Sequence, residues 1–178
     1  CVALSVRETV PSETLPKGRG SGEFALVWRD LVLRTGVLVT ALAVSCAVVD
    51  NVAAPYRFIN QLGSTSFGYG SYLALWGVGA LAGAQLARRT TEPARDLAVG
   101  NLLCALGILG IGLAPDVPVA YLASVFGGVG NGLENVAMSA LVSGRTAPTA
   151  RGRAFATTGG IVQAGTGIGT AAGAPLVL

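Results

Sequence analysis

The sequence predicts an all-α membrane protein that crosses the bilayer about five times. Three observations carry that prediction: a scarcity of charge, long runs without any charge, and basic residues confined to alternate loops. Hydrophobic residues make up 52% of the chain and charged residues only 12%, with a mean hydropathy of +0.63. A water-soluble domain carries about a quarter charged residues, because its surface must stay hydrated. Residues 58–87, 97–115 and 154–178 contain no Asp, Glu, Lys or Arg. A helix needs about 20 mostly apolar residues to cross the roughly 30 Å hydrocarbon layer, and three such stretches exceed what a small soluble core would bury.

Residues 1–30 form the first unit. The apolar opening Cys1 to Val6 is too short for a secretory signal and has no basic residues before it, so it reads as the tail of a preceding helix. A polar connector follows, with Pro11, Pro16, Gly18, Gly20 and Gly22 among charges of both signs. Residues 31–178 form the second unit, a transmembrane bundle. Its spans are expected at about 31–55, 69–87, 97–114, 119–143 and 154–178, the last reaching the end of the chain.

The loops orient these spans. With the first connector inside, the inner loops hold Arg7, Lys17, Arg19, Arg29, Arg34, Arg88, Arg89, Arg95, Arg145, Arg151 and Arg153, and the outer loops hold Arg57 alone. Positive charge favours the cytoplasmic side. The expectation is therefore a multi-pass protein of the cell membrane with a cytoplasmic N-terminus. Arg outnumbers Lys eleven to one in an Ala- and Gly-rich chain, a composition that suggests a bacterial cytoplasmic membrane.

Glycine spacing predicts how the spans pack. Gly165, Gly169 and Gly173 recur every fourth residue, as do Gly79 with Gly83 and Gly128 with Gly132. Lipid supplies no hydrophobic drive between helices, so close approach through small residues does the packing.

Two acidic residues interrupt the spans. Glu134 lies near the middle of the fourth, and Asn131, Glu134, Asn135 and Met138 share one helical face. A carboxylate at that depth costs about 3 kcal/mol or more unless it meets water or a partner, so proton coupling or cation recognition is expected there. The alternative role is an interhelical hydrogen bond from a protonated Glu134. Asp50 lies a turn inside the outer end of the first span, where interfacial water, a surface pairing with Arg57, or a transport role are all open to it.

Other functions find no support in the residues. There is no histidine, the commonest metal ligand and general base. Cys1, Cys46 and Cys104 are scattered, so neither a disulfide framework nor a metal site is expected. No phosphate loop, zinc-protease motif or serine-nucleophile elbow occurs. Gly77, Gly79 and Ala82 match a dinucleotide-binding spacing, but inside a membrane span with no preceding strand. The reading is not an enzyme, with no cofactor and no nucleic-acid partner.

Two passages resemble the major facilitator superfamily, in particular its macrolide-efflux and enterobactin-exporter-like branch. The first runs from Gly128 to Ala137 as GVGNGLENVA and continues through Pro148 to Arg151–Ala156 as RGRAFA. The second, Gly79 to Arg89, is similar to the family's GxxxDRxGRR loop, keeping Arg88 and Arg89 but lacking the acidic residue and second glycine. The resemblance implies that the five spans are the seventh to eleventh of a twelve-helix fold and that Cys1 to Val6 ends the sixth. It implies a missing N-terminal half of the same protein as partner, besides the lipid bilayer and a small-molecule substrate. In that fold the first helix of each triplet lines the central cavity, and Asp50 and Glu134 lie on the two spans concerned. The implied activity is proton-coupled efflux of a small hydrophobic or amphiphilic molecule by alternating access. The alternative is a non-transporting membrane scaffold or a half-size subunit that needs a partner.

Overall fold

The computed structural model describes residues 27–173 and 175. Helices joined by short turns account for nearly all of them, and no strand occurs among the described residues. The helices are α1 (Leu31–Tyr56), α2 (Ser66–Ala87), α3 (Pro93–Leu113), α4 (Val117–Arg145) and α5 (Arg151–Gly173). Each helix overlaps one of the five stretches in which a span was expected. The opening segment Cys1–Val6 and the connector as far as residue 26 lie outside the described residues.

Local chemistry explains the boundaries. Asp30 caps α1, accepting from the backbone N–H groups of Val32 at 2.9 Å and Leu33 at 3.1 Å. Thr65 caps α2 through the Gly68 N–H at 3.2 Å, and Asp116 caps α4 through that of Val119 at 3.0 Å. Pro93 opens α3, where a missing N–H costs nothing. One boundary differs from expectation. Helix α1 runs through Pro55 and continues as a π-helical turn, Arg57–Gln61, before Gly63 reverses the chain at φ +62°. Proline removes one backbone hydrogen bond but does not end the helix here. The connector also ends earlier than expected. Residues 27–29 are helical, and Val27 is buried against the bundle.

Successive helices alternate in direction. One end of the bundle gathers Val27, Leu33, Leu97, Leu141 and Ala154 into an apolar cluster. The other gathers Ala54, Phe58, Tyr72, Ile111 and Ala120. Arg57 lies at the second end, and Arg29, Arg34, Arg88, Arg89, Arg95, Arg145, Arg151 and Arg153 lie toward the first. Asp30 ties α1 to the end of α4 through Arg145 at 2.9 Å.

Between the two clusters, backbone meets backbone at glycine. Helix α4 packs most extensively against α2 and α3, while α1 pairs with α5. A Cβ on Gly79 or Gly83 would overlap the carbonyls of Val125 and Val129, and one on Gly128 or Gly132 those of Trp76 and Ala80. Gly165 and Gly169 lie as close to the carbonyls of Ala41 and Ser45, and Gly173 rests on Val49 and Val52. All seven glycines chosen from spacing therefore lie at helix interfaces. A third interface, α3 on α4, rests on Gly100, Gly107, Gly127 and Gly130, which spacing did not single out. A Cβ at Gly100 would stand 2.8 Å from the Glu134 backbone nitrogen.

The residue distribution is inverted relative to a water-soluble bundle. Glycine, alanine, Ser124, Asn101 and Glu134 are inside, whereas Leu42, Leu81, Leu102, Leu122, Phe126 and Ile168 are exposed on all five helices. Contiguous apolar surface of this kind marks a face that meets something other than water. Two helical segments, Leu31–Gln61 and Pro93–Leu113, are long and apolar enough to cross a membrane. The other three helices are long enough but diluted. Helix α5, for example, carries seven glycines and four threonines. The small residues that permit close packing are the same ones that lower hydropathy.

Candidate functional site

Glu134 lies on α4, one turn beyond Asn131, and is 3% exposed. It faces a cavity of about 260 Å³ between α1, α4 and α5. Asn131, Asn135, Met138 and Ser139 line the same wall, Thr40 and Val44 contribute from α1, and Phe155, Thr158 and Val162 from α5. The face identified from spacing is thus brought together as one wall of one cavity. Among the described residues, no arginine or lysine lines it.

The polar groups of the wall are differently engaged. The Asn135 amide donates to the Asn131 carbonyl at 2.8 Å, and the Ser139 hydroxyl to the Asn135 carbonyl at 2.9 Å. These bonds hold the side chains along their own helix. The Glu134 carboxylate has no hydrogen bond or ion pair among the described residues. Thr40, 6% exposed, keeps its hydroxyl without a partner on the opposite wall. An unpaired carboxylate and an unpaired hydroxyl lining one half-open cleft can accept and relay a proton, or hold a ligand carrying a positive charge.

Asp50 is elsewhere. It lies on α1 toward the Arg57 end and accepts a hydrogen bond from the Tyr72 hydroxyl at 3.1 Å. Tyr72 is fully buried, with its ring 4.9 Å from Phe58 and 5.7 Å from Tyr69. The surface pairing with Arg57 does not form. Arg57 instead donates to the Ala114 carbonyl at 3.0 Å, just past the last turn of α3, where the exposed carbonyls of a helix C-terminus attract a cation.

Of the loop residues, Arg88 and Arg89 are exposed between α2 and α3. Beside them Thr90 donates to both the Ala87 carbonyl and the Asp96 carboxylate. Arg151 donates to the Ser143 carbonyl at 3.1 Å, bridging the turn from α4 to α5, and Arg153 lies on the first turn of α5. Cys46 is exposed and Cys104 buried, both as free thiols. No group of three or more Cys, Asp or Glu side chains suited to a metal occurs among the described residues.

Sequence reasoning missed Thr40, Ser139, Phe155 and Thr158. Thr158 shares the buried stripe of α5 with Ala154, Gly165 and Gly169, but that stripe does not reveal which helix it meets, and Phe155 lies off it. Thr40 carries no local mark and becomes visible only when α1 is placed beside α4. No family model, curated protein or solved structure matches the chain.

Proposed function

We propose that this chain is the core of a multi-pass membrane transporter of the major-facilitator type, in which Glu134 takes up and releases a proton during efflux of a small amphiphilic molecule. One observation carries this reading: a largely buried carboxylate, unpaired among the described residues, lines a half-open cleft between α1, α4 and α5 in a bundle whose outer surface is apolar. Such a residue costs about 3 kcal/mol at membrane depth and is retained where it serves an ion or proton path. The cavity walls agree with the resemblance, because α1 and α4 are the helices expected to line a central pathway. The segregation of arginines to one bundle end supports a cytoplasmic placement for that end. The remaining helices of such a fold would come from the rest of the same protein.

Replacing Glu134 with Gln tests the reading. The natural reading frame would be expressed, and ethidium accumulation driven by an imposed pH gradient measured in everted vesicles. E134Q is expected to abolish uphill accumulation while elution and melting in detergent stay unchanged. Undiminished pH-driven accumulation by E134Q removes Glu134 from the mechanism.

A further inference from the structure

The cleft beside Glu134 is polar in one sense only. The Ser139 hydroxyl donates to the Asn135 carbonyl, the Thr158 hydroxyl to the Phe155 carbonyl at 3.0 Å, and the Asn135 amide to the Asn131 carbonyl. Those hydrogens are committed to the backbone of their own helix, so the polar atoms left along the cleft are mainly acceptor oxygens. Among the described residues, no arginine or lysine of the lining answers them.

The oxygens also differ in depth. Asn135 and Ser139 are exposed at the mouth, whereas Thr40, Glu134 and Thr158 are buried. Thr40 belongs to α1, Glu134 to α4 and Thr158 to α5, so all three walls contribute to the inner end. The Thr40 hydroxyl and the Glu134 carboxylate have no partner among the described residues, and buried polar groups left so are costly.

A ligand that satisfies this inner end must carry positive charge, bind through oxygen and pass behind the surface of the cleft. A substituted ammonium is too bulky for the last condition, since the Thr40 hydroxyl oxygen is shielded even from water. A divalent ion would keep a net positive charge beside a single carboxylate in an apolar bundle, and no group of three Cys, Asp or Glu side chains occurs among the described residues to balance it. Among monovalent ions, the strong field of a carboxylate oxygen favours the smaller. We infer that the inner end of this cleft is a sodium site, with Glu134, Thr40 and Thr158 as protein ligands and water completing the shell toward Asn135 and Ser139.

This inference rests on the reading of Glu134 as an ion-handling carboxylate and deepens it, because sodium and the proton then compete for the same oxygens. The titratable group that faces Glu134 from a neighbouring helix is Cys104 of α3. The α1 and α5 walls bring no titratable side chain to the cleft.

The test is sodium binding by the detergent-purified product of the natural reading frame, measured with radioactive sodium in a scintillation proximity assay at an ionic strength held constant with choline chloride. Binding is expected to saturate, and to be displaced by unlabelled sodium or lithium but not by potassium or choline. As pH falls through the protonation of Glu134, sodium affinity is expected to fall about tenfold per pH unit. Thr40→Val keeps the shape of the side chain and deletes one ligand, and is expected to weaken binding about tenfold with elution and melting unchanged. E134Q is expected to abolish binding. Equal displacement by potassium, binding retained by E134Q, or undiminished binding by a folded Thr40→Val protein would each overturn the inference. The pH-driven ethidium assay is a separate readout. Accumulation that depends on Glu134 without any sodium binding removes the sodium site and leaves the proton reading, whereas sodium binding lost in E134Q with accumulation undiminished does the reverse.

Discussion

Helix α4 meets its neighbours in two different ways. Toward α2 and α3 it presents Gly127, Gly128, Gly130 and Gly132, and backbone lies against backbone. Toward α1 and α5 it presents Asn131, Glu134 and Ser139, and a cavity separates the walls. The two faces draw on overlapping turns of one helix. Small residues on one side therefore lock α4 into a rigid three-helix unit, while polar residues on the other leave room for a ligand or water. A site that must keep its geometry while its opposite wall moves gains from being built on the locked unit.

The largest expected effect breaks the locked side. Gly132→Val would drive a side chain into the Ala80 carbonyl and is expected to cost about 3 kcal/mol, read as a fall in detergent melting temperature or loss of the folded peak. Gly159→Ala, on the cavity wall with open space around it, is expected to hold stability or raise it by about 0.5 kcal/mol through helix propensity. An equal fall in both variants would erase the distinction between the two faces.

A middle-sized effect concerns the tie across the cavity side. The hydrogen bond from Arg145, helped by the Leu33 and Val32 N–H groups, holds the Asp30 carboxyl below its ordinary value of 3.8. A lowered folded-state value means that the stabilisation is present above the ordinary value and disappears as pH falls through the folded one. Asp30→Ala is expected to cost about 1 kcal/mol at neutral pH and to flatten the acid limb of a melting-temperature profile. A variant with the parent's acid limb would assign that limb to other carboxylates. The smallest effect is expected at Glu92, whose contact with Arg95 is 3.8 Å long and exposed. Glu92→Ala should change stability by less than about 0.5 kcal/mol, and a larger loss would mean that the loop beside Thr90 and Asp96 is fastened more firmly than its exposure indicates.

Much of this arrangement is legible in the sequence. The five helices follow from uncharged runs punctuated by Asp116, Pro93 and the arginine loops. Two glycine interfaces follow from a four-residue spacing that keeps one face. The α3–α4 interface escapes because Gly100 and Gly107 are a heptad apart, and Gly127 and Gly130 a shorter step, so neither pair repeats every fourth residue. The Glu134 wall is readable because its members share one helix. Thr40, Phe155 and Thr158 come from other helices, and a one-dimensional pattern carries no trace of which faces meet. Asp50 found Tyr72 instead of Arg57 for the same reason: the bare carbonyl of Ala114, 57 residues further along, claims the guanidinium.

The π-helical turn after Pro55 has a mechanical consequence. It holds one residue more than an α-helical turn, so the side chains beyond it are advanced in phase along the helix. Phe58 lies within that turn, with its ring against Tyr72. Rewinding the turn into α-helical form would swing the following residues by about 100° and carry Phe58 off the tyrosine. The winding of this segment therefore sets where Phe58 meets the ring of Tyr72, whose hydroxyl donates to Asp50.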